Sequence, residues 1–438
     1  MNCFDIDISS QKNILLVGYG ISGKSTYNFL KTQGHNVFVY DDSNNEIPDK
    51  IFNIDWKTID FVVKSPAIPF MDHNCHKIIK EAKEKNISII STFDIFRLYN
   101  PDAKIIAITG TNGKSTTTAL TYHILKKAGF SVEMGGNIGI PYCDLPKAEY
   151  YIFEMSSYEL ASSSFLNFEM AAILNIEPDH LEIHGNYENY INAKFLALDN
   201  AKIKLISAED NITMQSYKNS KNVIKISIEC NESSDIYVYE NALIDNSKFP
   251  VLDLSNLTNL RGKHNHQNIE FAYAICKKLG VAPKEIVKHI NSFKPLPHRM
   301  NNIRKIGNVL FVNDSKATNP GSAAKALATF IGYKIYWLVG GRSKKTDPMV
   351  YIKDYLDGVQ KIYIFGESAE EFEGCFKNIK KTVSCNTMFN ALNLAYKDAS
   401  NETGPSVVLL SPMCASFDQF KSFEQRGDDF VSAVMELK

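Results

Sequence analysis

The segment 109–118 reads TGTNGKSTTT, and its residue types suit one task, holding phosphate oxygens. Gly110 and Gly113 let backbone N–H groups turn toward an anion, with Thr111 and Asn112 between them. Lys114 brings a positive charge to the outer phosphates, and Ser115 or Thr116 brings a hydroxyl for Mg²⁺. The usual phosphate loop has a glycine five positions before Gly113, where this chain has Ile108. The shortened spacing sets aside the common families with that loop.

Other chemistry-bearing residues follow. Glu154 and Glu159 flank FEMSSYEL at the end of an apolar run. A carboxylate at the C-terminal edge of an α/β strand lies by the ligand crevice, where it can hold Mg²⁺. A helix-start charge is an equal reading for Glu159, less so for Glu154. NIEPDH (175–180) ends another apolar run, with Asp179 and His180 as oxygen and imidazole donors and His184 four residues on. A helical pair at that spacing suits zinc, one of them alone suits Mg²⁺, and an ordinary loop histidine is as good a reading. Lys194, in YINAKFLAL, reads by itself as a solvated helical lysine. Nearer the start, Gly18-Tyr19-Gly20-Ile21-Ser22-Gly23 matches G-x-G-x-x-G, with Asp41-Asp42 where a ribose carboxylate would stand. By itself this pattern leaves a dinucleotide and another phosphorylated ligand equally open.

These residues need elements to hold them, and apolar runs alternate with helical patterns along the chain. Strands are expected at 13–18, 35–42 and 60–68, then at 103–110, 149–156 and 170–176, then at 308–314, 334–341, 361–366 and 406–412. Helices are expected at 264–280 and 282–293, and one closes the chain. Residues 205–260 are polar and give no clear pattern, beyond short strands or an insertion. PLPHR (295–299) has two prolines in three residues and suits a linker. The expectation is an α/β chain of three domains, at 1–95, 96–297 and 298–438.

The 438 residues are too many for one core. A net charge of −1 gives no field for nucleic acid or an anionic membrane. The polar N-terminus lacks a signal-peptide core, and no apolar run nears the roughly 20 residues of a membrane span. Eight scattered cysteines form no CxxC pair, which suits free thiols in a reducing cytoplasm. The reading is a cytoplasmic protein, expected to be a monomer, with small-molecule partners and neither nucleic acid nor membrane among them.

Taken in order, the motifs resemble the Mur ligase family over nearly the whole chain. TGTNGKST resembles its ATP loop, GGNIG (135–139) the loop that follows, and EMSSYEL and NIEPDHLEIHG its metal segments. HNHQN (264–268) and PHR (297–299) resemble its nucleotide site, and NDSKATNP (313–320) its third domain. The C-terminal SPMCASFDQFKSFEQRGDDF (411–430) is similar to the branch that adds D-glutamate to UDP-N-acetylmuramoyl-L-alanine. The resemblance implies a Rossmann-like first domain that holds the UDP of the substrate rather than NAD, a P-loop-type ATPase domain, and a Rossmann-like acceptor domain. It implies that ATP turns the substrate carboxylate into an acyl phosphate, which the amine of D-glutamate attacks.

Residue roles carry over in the same way. Gly110, Thr111, Asn112, Gly113, Lys114, Ser115, Thr116, Asn265, Asn268, Arg299 and Asp314 take ATP. Ser115, Thr116, Glu154, His180 and Lys194 take Mg²⁺, two ions in all, with Lys194 carbamylated by CO₂. Asn137 orients the acyl phosphate. Together with Lys114, His180 and Lys194, it makes up the catalytic set. Gly18, Gly20, Ile21, Ser22, Asp41, Ser65 and Asn137 take the UDP-substrate, although Asp42-Ser43 stands at a position for arginine and Ala67 replaces a glycine in the SPAIP turn. Lys316, Thr318, Lys344, Ser416 and Phe417 take D-glutamate, and closure of the third domain would complete the site. The alternatives are a Mur-type or folylpolyglutamate synthase-like ligase with another acceptor, and a nucleotide-binding regulator without catalysis.

Overall fold

The structure, a computed structural model, describes residues 6–43, 47–246, 249–255, 257, 260, 262–343 and 347–437. Its strands form three sheets. The first contains β1 (Asn13–Val17), β2 (Asn36–Tyr40), β3 (Phe61–Lys64) and β4 (Ser88–Ser91), in the order β2-β1-β3-β4 and all parallel. β1 and β3 are almost wholly apolar and buried, as a sheet covered on both faces requires.

The second sheet has nine strands: β5 (Lys104–Thr109), β6 (Val132–Gly136), β7 (Tyr150–Glu154), β8 (Phe168–Ile173), β9 (Ala201–Ser207), β10 (Val223–Ser227), β11 (Ile236–Tyr239), β12 (Ala242–Asp245) and β13 (Pro250–Asp253). Their order is β13-β12-β11-β10-β9-β8-β5-β7-β6. β6 through β11 run parallel, and β12 and β13 are antiparallel additions at one edge. The polar stretch 205–260 thus holds the helix Asn211–Tyr217 and the last strands of this sheet. Its strands are short and half-exposed, so their apolar signal is weak.

The third sheet contains β14 (Asn301–Ile306), β15 (Val309–Asn313), β16 (Lys334–Gly340), β17 (Val359–Phe365), β18 (Thr382–Ser384) and β19 (Ser406–Leu410), in the order β14-β15-β19-β16-β17-β18. Only β14 is antiparallel to its neighbour. The chain leaves β1 and β5 in one direction along the sheet and then crosses back past them, and it returns to β19 between β15 and β16. The crevice beyond the carboxyl ends of such strands is where open α/β sheets bind ligands. The glycine turn, the TGTNGKST loop and the SPMCAS segment follow these three strands.

The chain packs as two compact units, Met1–Leu257 with His266–Phe293, and Thr258–Asn265 with Lys294–Lys438. The first two sheets share the first unit. The expected boundary at 95/96 falls inside the helix Thr92–Tyr99. Ile95 packs on the first sheet, whereas Phe93 and Phe96 pack among Tyr142, Tyr151 and Phe153 of the second. One amphipathic helix serves two cores, so no linker separates them there. No helix among the described residues is long and apolar enough to cross a membrane.

Candidate functional site

β5 is buried through Ile108 and ends at Thr109, where the glycine loop begins. Gly113 has φ +90° and caps the helix Lys114–Lys127. A Cβ there would lie 2.4 Å from Asn268 Oδ1, so space and backbone both demand glycine. The loop is braced from outside. Thr111 N donates to Asn175 O at 2.9 Å, and Asn112 N to Asn175 Oδ1 at 2.9 Å. Asn112 Nδ2 reaches Glu177 Oε2 at 3.1 Å, and Thr117 Oγ1 donates to Asn268 Oδ1 at 3.1 Å. A loop fixed in this way presents its N–H groups at a helix N-terminus with little reorganisation on binding an anion.

Two lysines converge on this loop from different helices. Lys114 Nζ donates to Gly110 O at 3.0 Å and Thr111 O at 2.9 Å. Lys194 Nζ, from the helix Tyr187–Asp199, donates to the same Gly110 O at 2.8 Å and lies 3.4 Å from Thr109 Oγ1. Lys194 is 1% exposed, contrary to the solvated reading that its helix suggests. Burial pulls its pKa well below the ordinary lysine value, the Lys114 charge adds to that, and Asp179 and Glu154 oppose it. Its ammonium also lies 4.7 Å from the centre of the Tyr190 ring.

Glu154 ends β7, beside β5, and is 2% exposed. Asn137 N donates to its backbone carbonyl at 2.9 Å, and Asn137 Nδ2 to its Oε1 at 3.0 Å. Oε2 has no hydrogen-bond partner among the described residues. A buried carboxylate oxygen left open beside a phosphate loop fits a divalent cation. Ser115, buried in the first turn of the loop's helix, supplies a hydroxyl, and Thr116 follows it. No group of three or more His, Cys, Asp or Glu able to hold a metal occurs among the described residues. Mg²⁺ takes one or two carboxylates and fills its shell with phosphate oxygens and water.

The two histidines of NIEPDHLEIH part ways. His180 has φ +53°, is one-third exposed, and stands 3.6 Å from Asp179 and 3.5 Å from Glu182. His184 is fully buried, with Nε2 2.8 Å from Ser157 Oγ, and burial pushes its pKa down to about 4. His184 is a packing residue, and the zinc reading of the pair has no support.

In the first sheet, Ser65 Oγ donates to Gly18 O at 2.6 Å. A Cβ on Gly23 would fall 2.0 Å from Gly18 O, so the third glycine is needed for packing of the turn. A Cβ on Gly20 would meet nothing within 4 Å, Ile21 is 83% exposed, and Ser22 is half-buried, which leaves that side of the turn open. Asp41 accepts from Tyr19 N at 2.6 Å and Ser43 N at 2.8 Å. Burial raises its pKa, but the Ser43 and Tyr19 bonds outweigh that and lower it. Its carboxylate is therefore committed to shaping the turn.

In the second compact unit, Asp314 follows β15 and is held by Ser411 Oγ at 2.9 Å and Met300 N at 3.3 Å. Burial pushes its carboxyl up to about 7, against Ser411, Arg299 and Met300. Asn265 is buried and Arg299 half-buried. Lys316 Nζ sits 3.7 Å over the Phe423 ring, and Thr318 N donates to Lys316 O at 2.9 Å. Ser416 is buried with its hydroxyl unpartnered among the described residues, and Phe417 is 62% exposed. The aromatic ring against Lys316 is thus Phe423, six residues past Phe417. Lys344 lies outside the described residues.

Sequence reasoning passed over Arg426, which is fully buried. It donates to Ser315 Oγ at 2.9 Å, Ser315 O at 2.8 Å and Cys414 O at 3.0 Å, tying together the segments after β15 and β19. It also gave no role to Asn175 or to Tyr190, whose hydroxyl lies 2.9 Å from Thr111 Oγ1, and both brace the loop. None of the three is marked by spacing, since each acts through a fold contact.

The comparisons with known proteins follow the same lines. A model of the Mur ligase middle domain matches residues 108–276, and one of the Mur ligase glutamate ligase domain matches residues 298–414. Curated relatives described as UDP-N-acetylmuramoylalanine--D-glutamate ligase come from Rhizobium johnstonii and Rickettsia prowazekii. Each is 36% identical, covering 97% and 96% of this chain and 95% and 97% of the relative. Among solved structures, a UDP-N-acetylmuramate-alanine ligase from Thermotoga maritima has a TM-score of 0.63 at 18% identity, over 98% of this chain and 100% of the other. A MurF ligase from the same organism, in complex with ADP, has a TM-score of 0.61 at 16% identity, over 99% and 97%.

Proposed function

The chain belongs to the Mur ligase family, and from that premise we propose that it joins D-glutamate to UDP-N-acetylmuramoyl-L-alanine, splitting ATP, in the assembly of peptidoglycan precursors. The observation that carries the chemistry is the convergence of Lys114 and Lys194 on the Gly110 carbonyl, in the same compact unit as a buried glutamate with one open oxygen.

A substrate carboxylate oxygen attacks the γ-phosphorus, the bond to the ADP oxygen breaks, and an acyl phosphate forms. The amine of D-glutamate then attacks the acyl carbon and loses a proton, and phosphate leaves as the amide closes. Lys114 and the loop N–H groups hold the outer phosphates, where charge gathers in the first step. Asn137, fixed by two bonds to Glu154, offers its side chain to the acyl phosphate.

We assign Ser115, Thr116 and Glu154 to one Mg²⁺, and His180 with a carbamylated Lys194 to a second. Bound there, the ions neutralise phosphate and carboxylate charge. Carbamylation needs a neutral amine, and the burial of Lys194 together with the charge of Lys114 favours one. Asn265, Asn268, Arg299 and Asp314 are assigned to the nucleotide, and Lys316, Thr318, Lys344, Ser416 and Phe417 to D-glutamate. For the UDP moiety, the open side of the turn at Gly20, Ile21 and Ser22 supports the assignment, with Gly18, Asp41 and Ser65 shaping it. We place the three domains at 1–95, 96–297 and 298–438, and the work in the cytoplasm by a monomer.

The test is product mass after mixing the protein with ATP, Mg²⁺, UDP-N-acetylmuramoyl-L-alanine and D-glutamate. The expected product is the substrate extended by one glutamyl residue, with one phosphate released per amide. Product with another amino acid but not with D-glutamate refutes the acceptor assignment, and phosphate release without an amide refutes the reaction.

A further inference from the structure

Lys64 is the last residue of β3, next to the Ser65 that holds the glycine turn, and it is 1% exposed. Its ammonium leaves the first sheet altogether and donates to Ser162 Oγ at 3.1 Å, on the helix Ser157–Ser162. That helix begins three residues after Glu154. Lys64 is paired in register with Ser91 of β4, whose hydroxyl lies 2.9 Å from Ser163 Oγ. Asp94, fully buried, accepts from Ser164 N at 2.9 Å and Phe165 N at 2.8 Å. The end of the first sheet is therefore stitched to residues 162–165 by a row of polar contacts, buried at Lys64 and Ser162 and half-buried beyond, inside one compact unit.

An apolar residue at position 64 would pack at no desolvation cost, whereas a buried ammonium persists only against compensating charge and hydrogen bonds. The compensation is present. Burial lowers Lys64 to about 8, with the Glu159 and Asp94 charges opposing the fall. Burial raises Glu159 to about 7, with the Lys64 charge among the influences opposing the rise. A directional bond from the first sheet to this helix fixes their relative placement in a way that apolar contact does not.

We propose that Lys64 is a positioning residue: by fastening the Ser65 end of β3 to the Ser157–Ser162 helix, it sets the glycine turn that takes the UDP-substrate at a fixed distance from Glu154 and the ATP loop. The substrate named here rests on the proposed function. Lys64 touches no reacting atom, and its effect passes through Ser65 and Ser162.

Three variants test it: Lys64→Met, Lys64→Met with Glu159→Gln, and Ser162→Ala. Lys64→Met should raise KM for UDP-N-acetylmuramoyl-L-alanine about tenfold, the size of one lost charge-assisted hydrogen bond, and leave KM for ATP within about twofold. It should also lower the thermal midpoint, because Glu159 loses its buried counter-charge. In the double variant the midpoint should recover while KM stays raised. Ser162→Ala, which keeps the Glu159 and Asp94 charges around Lys64 but removes the hydroxyl that accepts from it, should raise the same KM by about threefold or more and lower the midpoint less than Lys64→Met does. If the double variant recovers KM along with the midpoint, Lys64 only neutralises Glu159 and the proposal is overturned. Equal rises in both KM values overturn it as well. Should Lys64→Met not fold, the other two variants decide the matter. Wild-type protein is the control: no product from it refutes the proposed function and the positioning role with it, whereas normal turnover beside a normal KM in the variants refutes the positioning role alone.

Discussion

Lys194→Ala should cripple amide formation, and added short carboxylic acids should restore part of it. The side chain is 1% exposed and holds Gly110 O at 2.8 Å, so it touches the loop assigned to the phosphates. Losing one charge-assisted hydrogen bond costs about 1.5–3 kcal/mol, or roughly 10- to 150-fold in rate if the bond is needed in the transition state. If the amine carries a carbamate that holds a cation, the loss exceeds that range, because the cation's charge compensation goes with it. Truncating a long buried side chain also costs about 2–5 kcal/mol of stability. Lys194→Met separates the two effects: it keeps most of the volume, and so should keep the fold and still lose turnover. The alanine variant leaves a space in which acetate or formate supplies the missing oxygens, and the methionine variant does not. Phosphate release coupled to product mass, with and without acid, is the assay. Near-normal turnover by Lys194→Ala without added acid refutes the carbamate, as does equal rescue of both variants.

Lys114→Ala should abolish turnover with the thermal midpoint little changed, as read by phosphate release and calorimetry, since Lys114 is only partly buried and donates to the Gly110 and Thr111 carbonyls of its own loop. Gly113→Ala should lose at least about 100-fold in kcat/KM, because φ +90° and a 2.4 Å approach to Asn268 force the loop out of shape; normal ATP binding by calorimetry would show that the loop tolerates a side chain. Lys344→Ala should raise KM for D-glutamate by roughly tenfold or more, the cost of one charge-assisted bond, and spare ATP and the UDP-substrate; equal losses for all three count against an acceptor role. His184 has its pKa lowered from 6.5 to about 4, so it adds stability in full above pH 6.5 that is lost as pH falls through 4. The shift corresponds to at most about 3 kcal/mol, so the thermal midpoint should drop across that window and His184→Asn should flatten the drop.

The sequence by itself determined the chemistry of the loop and the α/β alternation. Spacing within a loop and apolar runs of buried parallel strands are local properties, so Gly110, Gly113, Lys114 and strands such as β1, β5 and β16 were legible along the chain. The short, weakly apolar strands β10 to β13, and the edge strands β14 and β18, were not, because such a strand owes its pairing to its neighbours rather than to its own residues. The helix Thr92–Tyr99, at the expected 95/96 boundary, was ambiguous for a related reason: its residues enter two cores, and a pattern of apolar residues does not say which core each one enters. Lys194 makes the contrast sharpest. In sequence it is a helical lysine of no distinction. In the fold its helix brings the ammonium to the Gly110 carbonyl, buries it, and pulls its pKa well below the ordinary value. Desolvation and contact between residues 84 positions apart are properties of the packed chain, and only tertiary structure sets them.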